Sequence, residues 1–218
     1  MNTRSFVRKA CFAAVALLPT FAALAGQPGR DKEDEISFDL VPNPSFVDCL
    51  RANDNEEPRA HATVIRGKVN DTLVLDLFGF KPGLQFDLFT IEHSPFFDDG
   101  AKDPAFTGSF GMAWYQSDIE VNKRGSSRTQ IRTILLDQIF GFDADVGLKP
   151  VNTFHVGFWF NNLDDAQHCS STQLKATPFN GEHNAGPFAM ISTTSRETKL
   201  GPLCTSPTGD TTAPKCDP

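Results

Sequence analysis

The sequence lacks most of the patterns that identify an enzyme or a nucleic-acid-binding protein. It has no Gly-x-Ser-x-Gly, no His-Glu-x-x-His, no phosphate-binding glycine loop and no dinucleotide fingerprint. Basic residues are outnumbered, with 20 Lys and Arg against 27 Asp and Glu. A protein that binds nucleic acid needs a positive surface to neutralise phosphates, so this balance argues against one. The absences together favour a protein without catalytic activity.

Long apolar runs are also scarce, and the longest lies near the N-terminus. Residues 10–21 are almost wholly apolar, follow three basic residues and precede an Ala-Leu-Ala pattern. This order is typical of a signal peptide over residues 1–25, with cleavage before Gly26. The run is shorter than the roughly 20 residues that a membrane-spanning helix needs. We therefore expect a secreted or periplasmic protein with no membrane insertion after cleavage.

Cysteine is rare, with five in the chain, and Cys11 would leave with the signal peptide. The other four are Cys49, Cys169, Cys204 and Cys216, and an even number in an oxidising compartment predicts two disulfides. We favour Cys49 with Cys169 and Cys204 with Cys216, because the second pair would close a short loop in the C-terminal tail. The sequence alone leaves the other two pairings open. No Cys-x-x-Cys spacing supports a thiolate metal site.

Helical periodicity is infrequent, whereas strand patterns recur between residues 38 and 204. In one segment Leu73, Leu75 and Leu77 fall on one face at period two. In TFHVGFWF the apolar residues at 154, 156, 158 and 160 face one way, and the residues at 155, 157 and 159 face the other. Strands separated by Gly and Pro turns predict an all-β fold, an antiparallel β-sandwich of the immunoglobulin-like or Greek-key kind.

The ends of the chain have a different composition from this central part. Residues 26–37 are polar and charged without a periodic apolar face, so we expect a flexible leader there. Residues 205–218 are rich in Pro and Thr, and we expect a tail tethered by a disulfide. The predicted β-sandwich domain is therefore 38–204.

Tyr and Trp are scarce beside 20 Phe, and one Trp stands next to the single Tyr. Aromatic side chains beside polar ones can form a recognition surface for proteins or carbohydrates. The predicted binding residues for such a partner are therefore Trp114, Tyr115, Gln116 and Trp159. In the alternative interpretation, Trp114 and Tyr115 simply pack on opposite faces of a strand.

The alternative function is a metal-binding or redox sandwich. Candidate copper or zinc ligands are His93, His155 and His183, but none is favoured, because each stands alone on its element. The acidic clusters at 98–103, 143–145 and 161–165 could supply calcium ligands or a pair of catalytic carboxylates. Solvated turns and helix caps explain these residues equally well. We therefore expect no cofactor. Enzymatic activity stays open, although the missing motifs favour a protein that is not an enzyme.

Several blocks support a resemblance to known proteins: SFGMAWYQSDIEV, IRTILLDQIFGF, FHVGFWFNNLDDAQHC, TPFNGEHNAGPFAMIS and LGPLC. Together, over roughly residues 62–204, they look like a group of secreted bacterial proteins with no assigned activity. This likeness implies a bacterial exported protein and brings no catalytic residues.

A second likeness is architectural. A turn at Lys81-Pro82-Gly83 that leads into a strand ending at His93 is similar to the copper-zinc superoxide dismutase and chordin-type sandwich. The chain lacks the His-x-His pair of that family, so the likeness does not extend to dismutase activity.

Overall fold

The structure, a computed structural model, describes residues 35–137, 139–152, 154–177, 186–205 and 216. In these ranges the chain forms ten strands and two short helices. The strands are β1 (Glu35–Pro42), β2 (Arg59–Ile65), β3 (Asp71–Phe78), β4 (Gln85–Ile91), β5 (Ala113–Glu120), β6 (Ser127–Thr133), β7 (Phe140–Asp143), β8 (Leu148–Asn152), β9 (His155–Phe160) and β10 (Phe188–Ile191). The helices are α1 (Val47–Leu50) and α2 (Leu163–Gln167), and no helix in the described part of the chain is long and apolar enough to cross a membrane.

Eight strands follow one another in the order β5-β4-β9-β10-β1-β2-β3-β6, and all neighbours are antiparallel. We call β1-β2-β3-β6 sheet A and β5-β4-β9-β10 sheet B. Strand β1 joins them, because its residues 35–40 pair with β2 while Val41 and Pro42 pair with β10. The two sheets pack face to face, which confirms the predicted antiparallel β-sandwich. Strands β7 and β8 form a separate hairpin.

The core lies between the inner faces of the two sheets. Sheet A contributes the alternating leucines of β3, and sheet B contributes Phe86, Val156, Phe158 and Phe160. The rings of Phe86 and Phe158 have centroids 4.9 Å apart, and Phe80 packs edge-on against Phe86 at 5.8 Å. Burying one such side chain stabilises the fold by about 1.5–3 kcal/mol. The faces that carry the period-two apolar residues of the sequence are therefore the faces that the two sheets turn toward each other.

A second apolar layer covers the outer face of sheet B. Residues 92–112, the connection from β4 to β5, place Phe96 and Phe110 against Phe89 and Trp159 of the sheet. Hydrogen bonds from His93 N to Phe110 O and from Glu92 N to Met112 O, both 3.0 Å, join the two ends of the connection to each other and continue the pairing of β4 with β5. Sheet B is therefore apolar on both faces, whereas an ordinary sandwich sheet presents one face to water.

Both predicted disulfides are present. Cys49 of α1 pairs with Cys169, which follows α2, and Cys204 pairs with Cys216. The first closes a loop of 120 residues and the second a loop of 12. On the loop-entropy model, the longer loop stabilises the fold by about 4–5 kcal/mol and the shorter by about 3 kcal/mol.

The structure differs from the sequence prediction at the start of the domain. Strand β1 begins at Glu35, so residues 35–37 of the predicted flexible leader are strand, paired with Ile65, Val64 and Thr63 of β2. The predicted signal peptide and the rest of the leader lie outside the described residues. At the other end, Thr205 is hydrogen-bonded to Asp137, and the tail beyond it lies outside the description except for Cys216.

Candidate functional site

Two of the predicted binding residues lie on the outer face of sheet B, and the ring of Phe89 lies between them. Tyr115 of β5 packs edge-on against Phe89 at 5.7 Å between centroids, and Phe89 packs edge-on against Trp159 of β9 at 5.5 Å. Tyr115 is 55% exposed, whereas Trp159 is 0% exposed beneath the 92–112 connection. Tyr115 can therefore touch a partner, and the prediction that Trp159 offers a binding surface is corrected: Trp159 supports that face from below.

The other two predicted residues belong to the opposite face of β5. Consecutive strand residues point to opposite faces, so Trp114 points away from Tyr115. Trp114 is 46% exposed, and its ring lies 3.1 Å from the position that a Cβ on Gly141 would occupy. Gln116 is the extra residue where the β4–β5 register shifts, and its amide donates to Thr90 Oγ1 at 3.1 Å. The strand thus presents an exposed ring on each face.

The phenol of Tyr115 lies above two carboxylates. Its hydroxyl donates to Asp118 Oδ1 at 2.7 Å, and Asp118 is the cross-strand partner of Asp87, which accepts from Asn161 Nδ2 at 2.8 Å. Partial burial raises the pKa of Tyr115 to about 12, with further contributions from the Asp118 hydrogen bond and the charges of Asp118 and Asp87. The hydroxyl therefore stays protonated and acts as a donor near neutral pH.

Exposed apolar side chains gather beside Trp114. The β7–β8 hairpin approaches Trp114 at Gly141, and its residues Phe142, Val146 and Leu148 are exposed, Phe142 by 61%. We call Trp114, Tyr115, Phe142 and Leu148 the β5 surface. It covers both sides of a strand at the end of the sheet order, with Tyr115 on the outer face and Trp114 on the opposite face, where the hairpin approaches. Exposed large apolar residues are common singly, whereas a group of them typically marks a site of interaction.

A polar pocket opens at the end of sheet B where β4 finishes and β9 begins. Its volume is about 340 Å³, and it is lined by charged, imidazole and hydroxyl side chains together with Phe106. Glu92 and His93 directly follow β4, and His155 begins β9 as the cross-strand partner of Ile91. Asp103 comes from the 92–112 connection, and Lys199 from the segment after β10.

His155 is the buried residue of this pocket. Its Nδ1 lies 3.2 Å from Ser192 Oγ, and its Nε2 lies 3.5 Å from Thr194 Oγ1. Burial, reinforced by the charge of nearby His93, lowers the pKa of His155 to about 3 despite an opposing hydrogen bond to the Ser192 backbone. The ring is neutral at any physiological pH, with one nitrogen as a donor and the other as an acceptor.

Two of the three candidate metal ligands come to one pocket in the structure. His93 and His155 line the same pocket, while His183 lies outside the described residues. Among the residues that the structure describes, one group offers three ligand atoms within 4.8 Å of one another, namely Asp137, Cys204 and Cys216. Its two sulfurs form a disulfide, which explains their proximity, so this group does not indicate a metal site.

The acidic clusters have structural partners. Asp99 pairs with Arg196 at 2.5 Å, and this guanidinium is the main cause that lowers the pKa of the Asp99 carboxyl. Asp143 Oδ1 accepts from Asp145 N at 3.0 Å within a turn, and Asn162 caps α2 by accepting from Asp164 N at 3.0 Å. These contacts are those of turns and helix caps, the alternative interpretation at the sequence level.

An aromatic cleft of about 650 Å³ adjoins the polar pocket. Phe106, Phe110, Trp159 and Phe188 form most of its wall, and it shares Phe106 and Ser109 with the pocket. The Phe110 ring packs edge-on against Trp159 at 5.1 Å and against Phe188 at 5.5 Å. The sequence did not predict Phe106 and Phe110 as site residues, because they lie in a connection without periodicity. The signal that could have indicated them is the presence of two phenylalanines in a Gly-rich loop.

Comparison with known proteins gives no match: no family model, no curated protein and no solved structure is significantly similar to this chain. The resemblance of the sequence blocks to secreted bacterial proteins stays a prediction. The features that bear on function are therefore the β5 surface, the polar pocket and the aromatic cleft.

Proposed function

We propose that this chain is an exported, non-catalytic β-sandwich that binds a protein partner through the β5 surface. The observation that carries the proposal is the exposure of Trp114 and Tyr115 on the two faces of one strand, with the exposed Phe142 and Leu148 on the hairpin that approaches Trp114. Tyr and Trp are enriched among the residues that dominate binding energy at protein interfaces. Strand β5 also ends the sheet order and pairs on one side with β4.

Two further features support export and recognition. Two disulfides are typical of a protein that folds in an oxidising compartment. The Tyr115 hydroxyl is already oriented by Asp118, which reduces the entropy that the side chain loses when a partner binds.

The experiment compares partner capture by three forms of the mature protein on cross-linked cells of the producing organism. These are the wild type, a Trp114→Ala/Phe142→Ala double variant, and a Val69→Ala control. Val69 is 85% exposed but lies between β2 and β3 in sheet A, so its loss tests apolar exposure elsewhere. We expect the wild type and the control to retain the same protein, and the double variant to retain at least about tenfold less of it.

The folding of each variant is checked by its circular dichroism spectrum and thermal midpoint. The proposal predicts a protein that the wild type retains and a folded double variant does not. It is wrong if no such protein is found.

A further inference from the structure

The polar pocket continues around His155 into a second cavity. This second cavity has a volume of about 250 Å³ and shares Glu92, His93, His155 and Lys199 with the first. The two cavities therefore form one polar groove around these four side chains, which we call the histidine groove. Asp103, Phe106 and Thr194 line it on the side of the first cavity. It lies at the end of sheet B, and none of its residues belongs to the β5 surface.

The acidic groups of the groove are held in place by the backbone. Glu92 Oε2 accepts from Met112 N at 3.0 Å, while its Oε1 lies 3.3 Å from His93 Nε2. Asp103 Oδ1 accepts from Ala105 N at 2.8 Å. A carboxylate has about four lone-pair sites, so each of these groups can accept further hydrogen bonds from a ligand.

The basic group of the groove is the exposed side chain of Lys199. Among the described residues, no Asp or Glu lies within ion-pair distance of it, and its Nζ is 4.8 Å from the centre of the Phe97 ring. Its backbone adopts φ of +61°, a left-handed conformation that glycine accepts without strain and lysine does not. The chain therefore keeps a lysine, with its three donors, at a position where glycine would be more stable.

The groove carries charges of both signs, which suits a neutral ligand with many polar groups. Two carboxylates and one ammonium face it, so an anion attracted by Lys199 also meets repulsion from Glu92 and Asp103, and a cation attracted by the carboxylates also meets repulsion from Lys199. A neutral molecule with many hydroxyl groups avoids both penalties, because each hydroxyl can donate to a carboxylate or accept from the ammonium. At the buried end, His155 Nδ1 lies beside Ser192 Oγ and its Nε2 beside Thr194 Oγ1, and the Thr194 hydroxyl keeps at least one lone pair that can accept from a ligand.

The neighbouring aromatic wall completes this chemistry. Phe106 faces both the groove and the aromatic cleft, whose volumes are about 340 and 650 Å³. A sugar ring has polar edges and an apolar C–H face, which can pack on Phe106 while the hydroxyls reach the polar side chains. We propose that the histidine groove binds a neutral carbohydrate, with Asp103 and Lys199 as hydrogen-bonding residues and Phe106 as the apolar contact.

The test uses the purified mature protein on an array of neutral, acidic and amino-sugar oligosaccharides, followed by calorimetry with the neutral oligosaccharide that binds best. The variants are Lys199→Gln and Asp103→Asn, which remove a charge and keep a polar side chain of similar size. Their matched controls are Lys123→Gln and Asp54→Asn, at exposed positions outside the groove. We expect Kd to rise at least about tenfold in each groove variant, because each loses a charge-assisted hydrogen bond, and to stay within about twofold in each control.

Several results would overturn the inference. These are no binding to any neutral glycan, binding confined to acidic or amino sugars, or unchanged affinity in both folded groove variants. A Trp114→Ala variant separates this inference from the proposed function. It should bind the glycan as the wild type does even if it loses the protein partner. Lys199→Gln should bind the glycan more weakly and retain the protein partner.

Discussion

The two faces of sheet B are both apolar but are covered in different ways. On the inner face, Val156, Phe158 and Phe160 of β9 pack against the regular strands of sheet A. On the outer face, Trp159 packs beneath an irregular connection that brings Phe96 and Phe110. A covering strand uses its backbone polar groups in the ladder, whereas a covering loop leaves side chains and backbone groups free to line cavities. The histidine groove and the exposed Tyr115 accordingly lie on the outer side.

The alternation along β9 shows how one sequence pattern produces both layers. Val156, Phe158 and Phe160 alternate with His155, Gly157 and Trp159, and all six residues are buried. Gly157 leaves room for its neighbours, since a Cβ there would lie 3.1 Å from both Ile191 and Trp159 side-chain atoms. The outer layer therefore depends on a small residue and a large residue side by side in the same strand.

The largest effect we predict is on the inner face. Phe158→Ala should lower the free energy of unfolding by about 3–5 kcal/mol, because a fully buried ring would leave a cavity between two regular sheets. Phe110→Ala on the outer face should cost only roughly 1–2 kcal/mol, because that ring is partly exposed and the loop above it can adjust. Urea unfolding of both variants measures the difference. Equal losses would show that the connection packs as rigidly as sheet A.

Much of the sandwich could be predicted from the sequence, and the reason is periodicity. Strands β3, β4 and β9 have alternating or continuous apolar residues between turn signals, and the structure confirms them. Strand β1 was missed because Ile36 and Phe38 alternate with Glu35, Ser37 and Asp39, which continue the charged leader. Its apolar face is recognisable only once β2 is known to lie beside it.

The candidate sites were less predictable, because residues distant in sequence form them. His93 and His155 were identified as scarce residues, but Asp103, Thr194 and Lys199 join them only through the folded connections around sheet B. The burial of Trp159 also depends on the 92–112 connection, whose contacts follow no period. Exposure of Trp114 and Tyr115 could be expected only as one of two alternatives, and the structure shows that each takes a different face.

A smaller effect should come from acid, through His155. The pKa of this histidine falls from 6.5 in the unfolded chain to about 3 in the fold, so the unfolded state binds the extra proton between these values. Stability should therefore fall as the pH drops below 6.5, by roughly 1 kcal/mol per pH unit. The pKa values of Asp99 and Asp137 lie below 3.8, so the range from pH 7 to 4.5 excludes their protonation.

Unfolding free energies of the wild type and His155→Gln across this pH range test the effect. The variant should lose most of the slope even if it is less stable at pH 7, whereas His168→Gln, at an exposed position, should keep it. If the dependence of unfolding free energy on pH were unchanged in His155→Gln, His155 would not be its source. The outer face of sheet B would then accept a charged imidazole, and it would be more polar than its packing implies.

The smallest effect concerns Tyr115 and should be visible by spectroscopy, since it is the only tyrosine in the chain. Tyrosinate absorbance, recorded after a rapid jump to alkaline pH and before unfolding, should give a pKa of about 12. Partial burial is the main cause and persists in Asp118→Asn, so that variant should titrate lower than the wild type but still above the ordinary value of 10.0. Asp76→Asn, which removes a carboxylate paired with Arg128 in sheet A, is the control and should leave the titration unchanged. Titration of the wild type near pH 10 would mean that the phenol is neither partly buried on the outer face nor held there by Asp118. The β5 surface would then lose the ordered hydroxyl on which its recognition role partly rests.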